Sequence, residues 1–106
     1  MKMKAKKIAQ YIQCLQERRY YDAHEALEAL WFPRRFEEDA EVKLLKGLIN
    51  AAVSFELRKR GRVMQSKKVW ANYLKYRQEI FKLRAPSLNE YYQLTRFVEK
   101  IDKNFL

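Results

Sequence analysis

Leu44-Leu45-Lys46-Gly47-Leu48-Ile49-Asn50-Ala51-Ala52-Val53-Ser54-Phe55 is the stretch that decides the fold. Only Lys46 in it is charged, and apolar residues run nearly all the way round a helical projection. A helix with no polar face is buried on most sides. This segment therefore predicts a central post for a helical bundle. Gly47, Ala51, Ala52 and Ser54 are small and let neighbouring backbones approach. A mid-helix glycine costs about 1 kcal/mol against alanine, so close packing, expected against the second helix, is the reason for Gly47. The post extends both ways, from about Glu37 to Arg60. Glu37, Glu38, Asp39 and Glu41 crowd its start and Arg58, Lys59 and Arg60 its end, which complements the helix dipole. Gly61 stands where a C′ glycine belongs. At about 1.5 Å per residue this helix is roughly 36 Å long.

Four further helices surround it. The first runs from about Lys4 to Glu17, with Ile8, Tyr11, Ile12 and Leu15 on one face. The second runs from about Asp22, a candidate N-cap with Glu25 in capping-box position, to Phe32, where Pro33 ends it. The fourth runs from about Arg62 to Leu83, with Val63, Trp70, Leu74 and Phe81 on one side and Pro86 closing it. Ser87-Leu88-Asn89-Glu90 is a capping box for the fifth, which carries Tyr91, Leu94, Val98 and Ile101. The expectation is an all-α, compact bundle of five helices around a long third helix, one domain over residues 1–106.

Composition narrows the function classes. Two Gly and two Pro in 106 residues are too few for the turns of an all-β protein. One Cys excludes an internal disulfide and a Cys-based zinc site, and one His excludes any site with two His ligands. No cofactor or tightly bound metal is expected. The longest uncharged run in the apolar region, Gly47 to Phe55, is far short of the about 20 residues that span a bilayer. Met1-Lys2-Met3-Lys4-Ala5-Lys6-Lys7 resembles the start of a signal peptide, but Gln10, Gln13 and Gln16 break the apolar core that such a peptide needs next. The expected location is cytoplasmic, in keeping with the lone Cys14. The lysine-bearing N-terminal helix could lie on an anionic membrane, but its apolar face is narrow and contains Tyr11, so packing on the bundle is expected instead.

His24, Glu28 and Trp31 stand at i, i+4 and i+7 of the second helix and share a face. A His one turn before a Glu can form a hydrogen-bonded pair that fixes the imidazole tautomer. Beside a Trp the pair suits a general base or a single metal ligand, and equally a satisfied structural histidine. The motif His24-Glu25-x-x-Glu28 lacks the second His of the zinc proteases. It also lacks the Glu three residues before the His of di-iron bundles, where Tyr21 stands.

Tyr21-Asp22-Ala23-His24-Glu25-Ala26-Leu27-Glu28-Ala29-Leu30-Trp31 resembles the signature of a family of small prokaryotic helical proteins catalogued as a domain of unknown function. Members read roughly Tyr/Phe-x-x-His-Glu-x-Leu-Glu-x-x-Trp. They continue with a Gly-Leu-Ile helix, matched by Gly47-Leu48-Ile49-Asn50, and a Gly opening a further helix, matched by Gly61. Asn50 stands where the family usually has Gln, and Gly61-Arg62-Val63-Met64-Gln65-Ser66 departs from the family's Gly-Asn-x-x-Gly-Ala. The resemblance implies a helical bundle and lends no activity. It singles out His24, Glu25, Glu28, Trp31, Gly47 and Asn50, with a hydrogen bond from His24 to Asn50 as the leading expectation for a buried imidazole.

Charge points elsewhere. The formal net charge is +10 and the pI near 9.8. Residues 1–53 hold ten Lys/Arg and eight Asp/Glu, and residues 54–106 hold thirteen and five, so the excess sits in the second half. Arg58, Lys59, Arg60, Arg62, Lys67 and Lys68 gather around the turn between the third and fourth helices, the footprint of a polyanion binder or of a solvated basic face. No sequence-specific nucleic-acid motif accompanies them. The residues admit three functions. The leading one is a non-catalytic binding or interaction module with a His24/Glu28/Trp31 face and a protein or small-molecule partner. The second is a nucleic-acid binder without sequence preference. The third is an enzyme using His24 and Glu28.

Overall fold

The computed structural model describes residues 2–84 and 88–105. Five α-helices succeed one another: α1 (Lys2–Gln16), α2 (Tyr20–Trp31), α3 (Ala40–Lys59), α4 (Val63–Arg77) and α5 (Leu88–Asn104). No strand occurs among the described residues, and the expected all-α bundle is the architecture found. The expectations placed on Pro86 and Ser87 lie outside the described residues.

α3 is the post. Val42, Leu44, Leu45, Gly47, Leu48, Ile49, Ala51, Ala52, Ser54 and Phe55 are all buried. α2, α4 and α5 touch it directly, and α1 reaches it through Tyr11, whose hydroxyl donates to the Leu48 carbonyl at 2.7 Å. α1 packs on the bundle as expected, burying Ile8, Tyr11, Cys14 and Leu15. Two more buried tyrosines fasten α5. Tyr73 on α4 donates to Glu99 at 2.7 Å, and Tyr91 on α5 donates to Glu41 on α3 at 2.7 Å. Burial pushes all three phenols well above their ordinary pKa, and the adjoining carboxylates add to this at Tyr73 and Tyr91.

Several boundaries differ from the sequence reading. α3 starts at Ala40, because Asp39 is its N-cap: the Asp39 backbone is extended and its Oδ1 accepts from the Glu41 N–H at 2.8 Å. Glu37 and Glu38 therefore precede the helix. Asp22 is no N-cap; it lies inside the first turn of α2 and accepts from Arg19 at 2.9 Å. Pro33 does not stop the chain's right-handed course. It occupies the start of a 3₁₀ turn, Phe32–Arg34, where its missing N–H costs nothing. At the far end Gly61 takes φ +78°. Its N–H donates to Arg58 and that of Arg62 to Leu57, a Schellman closure. The α1–α2 turn closes the same way with Arg18 at φ +60°, a conformation that costs a non-glycine residue about 1–2 kcal/mol.

α4 presents a different face from the one its apolar spacing suggested. Ser66 and Tyr73 are fully buried, with Val69, Trp70 and Tyr76 half-buried beside them. Trp70 stacks on Tyr73 at 4.6 Å. Val63, Leu74 and Phe81 face solvent instead. The helix also tightens at Gln78 into a 3₁₀ segment, Gln78–Lys82, which turns Ile80 inward and Phe81 outward.

Gly47 does sit at a close crossing, but against α4 and not α2. A Cβ there would lie 2.8 Å from Tyr76 Cβ and 3.6 Å from the Tyr73 carbonyl oxygen. Neither is the end of a flexible side chain, so the helices must part to admit a methyl group. Gly47→Ala gains about 1 kcal/mol of helix propensity and loses about 1–3 kcal/mol by overpacking. The expected outcome is a net loss of stability in urea denaturation, despite the better helix former.

Glu41 is the polar junction at the other end of α3. It accepts from Arg34 at 3.0 Å, from Tyr91, and from Lys4. Burial alone would raise its pKa, but Lys4, Tyr91 and Arg34 outweigh burial and bring it from the ordinary 4.5 to about 2. The folded chain thus resists a proton that the unfolded chain accepts. This contribution is complete above about pH 4.5 and is lost as pH falls towards 2. Glu41→Gln should lower stability at neutral pH and flatten the decline between pH 5 and pH 2, read from denaturation midpoints at each pH.

Candidate functional site

The α2 flank is built from helical spacing. Tyr21, His24, Glu28, Trp31 and Phe32 fall on one face, since i+3, i+7, i+10 and i+11 return to the same side. The His24 side chain is 18% exposed and Glu28 46%. His24 Nδ1 lies 3.2 Å from the Tyr21 carbonyl oxygen, which accepts from the Nδ1–H tautomer. Its Nε2 stands 3.5 Å from Glu28 Oε2, within ion-pair reach, and its ring leans on Tyr21 at 5.3 Å. The imidazole is therefore satisfied within its own helix. The expected bond to Asn50 is absent. Asn50 Nδ2 donates to the Lys46 carbonyl at 2.8 Å, and its Oδ1 accepts from Asn72 on α4 at 3.4 Å. The partial exposure of His24 removes the need for a partner on another helix.

Trp31 is tied to the rest of the bundle by a cation. Lys46 Nζ lies 5.8 Å from the Trp31 ring and 5.5 Å from that of Tyr76. One ammonium thus links α2, α3 and α4, within cation–π distance of both rings. Beyond Trp31 the stripe continues into the 3₁₀ turn. Phe32 is 53% exposed and Phe36 86%. The Arg35 guanidinium lies over both rings, at 3.6 and 4.5 Å, and donates to the Phe32 carbonyl at 2.6 Å. This aromatic–arginine end was not singled out from the sequence. Its signal was Phe32-Pro33-Arg34-Arg35-Phe36, two Phe in a turn with no helical stripe to bury them. Glu25 points away from this group and lines a cleft of about 370 Å³ between α1 and α2, with Cys14, Arg19 and Asp22.

No serine, threonine or cysteine hydrogen-bonds His24 among the described residues. Among the same residues no three His, Cys, Asp or Glu side chains gather as a set that could hold a metal ion. Among the described residues no helix is long and apolar enough to cross a membrane.

The basic group divides. Arg58 is a structural residue. Its side chain is 13% exposed, it pairs with Asp102 on α5 at 2.6 Å, and its guanidinium sits 5.4–5.6 Å from the rings of Phe55, Trp70 and Phe105. Lys59 donates to the Arg18 carbonyl at 3.1 Å, and Arg60 pairs with Glu56 at 2.7 Å. Arg62, Lys67 and Lys68 are exposed, and no carboxylate among the described residues lies within ion-pair distance of them.

A helical bundle with a His–Glu–Trp flank and a divided basic group is thus the class of protein that the fold and site define. The chain matches the family model described as domain of unknown function (DUF309) over residues 8–69, more than half its length, and belongs to that family. The match takes in α2, α3 and the start of α4; Tyr73 and Tyr76, which face Gly47, and all of α5 lie outside it. No curated protein and no solved structure matches the chain.

The pairing of Arg58 sets a testable limit on the basic group. Arg58→Glu would place a carboxylate against Asp102 among aromatic rings, so it should cost about 2 kcal/mol or more of stability. Lys67→Glu, at an exposed and unpaired position, should stay within about 0.5 kcal/mol. Thermal denaturation of the two variants side by side checks this.

Proposed function

We propose that the protein is a non-catalytic interaction module, one domain over residues 1–106, whose contact surface is the α2 flank of Tyr21, His24, Glu28, Trp31 and Phe32. The observation that carries this reading is the exposed aromatic end, where Phe32 and Phe36 stand in solvent under the Arg35 guanidinium. Clustered large exposed apolar side chains mark association surfaces, and Trp, Tyr, Phe and Arg are the residue types that anchor them. Gly47 and Asn50 serve this surface indirectly, by holding α4 against α3 and so fixing Tyr76 and Lys46 beneath Trp31. A cytoplasmic location goes with the reading, because Cys14 is a free, buried thiol.

Nucleic-acid binding without sequence preference is a second reading, favoured by the exposed and uncompensated Arg62, Lys67 and Lys68. The enzyme reading on His24 and Glu28 has no observation in its favour beyond their pairing.

Site-specific photo-crosslinking tests the leading reading. A crosslinker placed at Glu28 should give one discrete adduct in extract of the source cells, and the adduct should disappear in the Trp31→Ala, Phe32→Ser background. The same crosslinker at Gln93, an exposed position on α5, should not give that adduct. Identical adducts from both positions, or none from Glu28, would overturn the assignment of the α2 flank.

A further inference from the structure

The outer face of α4 combines two properties that neither the bundle nor the α2 flank uses. Its inner face is complete, with Ser66, Val69, Trp70, Tyr73 and Tyr76 turned to the core. On the opposite side, positions 64, 67, 68, 71, 74, 75 and 78 recur at helical spacing and are all exposed. Met64 is 72% exposed and Leu74 41%, and Phe81, just beyond in the 3₁₀ segment, is 79% exposed. Lys67 stands among these apolar residues, Lys68 and Lys75 flank them on one side, and Arg62 precedes them. No acidic residue occurs from Gly61 to Gln78. Among the described residues no carboxylate pairs with these four cations, whereas their neighbours are neutralised: Arg77 by Glu99 at 3.2 Å and Lys82 by Glu79 at 3.8 Å. From position 64 to 78 the face is about 21 Å long.

Exposed apolar side chains set among uncompensated lysines are complementary to one kind of surface. Lysine stems lie along apolar matter while their ammonium groups reach outward to anionic groups. At a bilayer interface the apolar side chains of such a face meet the acyl boundary while its cations meet the headgroups. A nucleic acid would engage the cations and leave Met64 and Leu74 in water. We propose that the outer face of α4 docks on an anionic lipid bilayer, with Met64, Leu74 and Phe81 entering the interface and Arg62, Lys67, Lys68 and Lys75 meeting lipid headgroups. The docking spans nothing and uses a different helix from the N-terminal one. It shares three cations with the nucleic-acid reading and departs from it in the apolar side chains. It does not depend on the α2 flank, so the crosslink from Glu28 can succeed or fail separately.

Co-sedimentation of the full chain with phosphatidylcholine vesicles, with and without phosphatidylserine, tests the proposal. Binding is expected only when phosphatidylserine is present, and it should weaken as salt rises. Each cation near such a surface contributes about fivefold to partitioning. Lys67→Glu with Lys68→Glu should therefore lower partitioning by at least about 25-fold. Met64→Gln with Leu74→Gln, which leaves the charge unchanged, should lower it by about tenfold or more. All four positions are exposed, so the far-ultraviolet dichroism of both variants should equal that of the parent chain. Equal binding to both vesicle types would overturn the proposal. So would an apolar variant that partitions like the parent. If the charge variant alone loses binding, and loses an oligonucleotide in parallel, the face binds polyanions and not lipid.

Discussion

A helix that is apolar around most of its circumference can face water only along a narrow seam, and α3 is such a helix. The other four elements are arranged to cover it. Its small residues decide how closely they can do so: at Gly47 the backbones of α3 and α4 approach until a single methyl group would not fit. Where α3 does carry polar atoms, they are answered internally. The Leu48 carbonyl receives Tyr11, the Ser54 hydroxyl turns to the Ala51 carbonyl, and Glu41 collects Lys4, Arg34 and Tyr91. No buried side-chain polar atom among the described residues is left without a partner, which a core this dry demands.

The one open seam of α3 carries Lys46 and Asn50, and the surface features assemble along it. Lys46 lies between Trp31 and Tyr76, and Asn50 meets Asn72, so the residues that stand out in the signature of the first half are held in place from the second half. His24 belongs to this surface without being fastened to it. Its imidazole answers to Tyr21 and Glu28 on its own helix, and α2 could present the same ring if the neighbouring helices were altered. Arg58 is the opposite case, a cation whose position depends on α4 and α5 together, through Trp70, Asp102 and Phe105.

Much of the fold was legible because periodicity is a local property. Five helices, the central third and the glycine closure at Gly61 emerge from spacing, charge bias and a single Gly. What spacing leaves open is phase and partnership. α4 has apolar residues on both sides, so Val63, Leu74 and Phe81 competed with Val69 and Tyr73 for the core, with Trp70 common to both, and only the shape of the facing α3 decides between them. Gly47 marked a close approach without naming the neighbour. Asp22 and Asp39 are equally good capping residues by type; the extended backbone before Ala40 selects the second. At the site, the shared face of His24, Glu28 and Trp31 was readable from spacing alone. The roles of Lys46 and Arg58 were not, because a charged side chain in a sequence does not reveal which rings it will lie over.

The three tyrosine hydrogen bonds differ from the rest of the structure in reach. Tyr11 and Leu48 are 37 residues apart, Tyr73 and Glu99 26, and Tyr91 and Glu41 50. The main helix contacts instead join neighbours in the chain, α1 with α2, α2 with α3, α3 with α4. Local contacts close short loops and form early, and distant ones must wait for that order. Assembly is thus expected to begin with the neighbouring pairs among α1, α2, α3 and α4 and to end with the docking of α5 through Tyr73 and Tyr91. That sequence makes α5 the first helix to detach in native-state hydrogen exchange, while the Gly47 crossing persists until the whole chain opens.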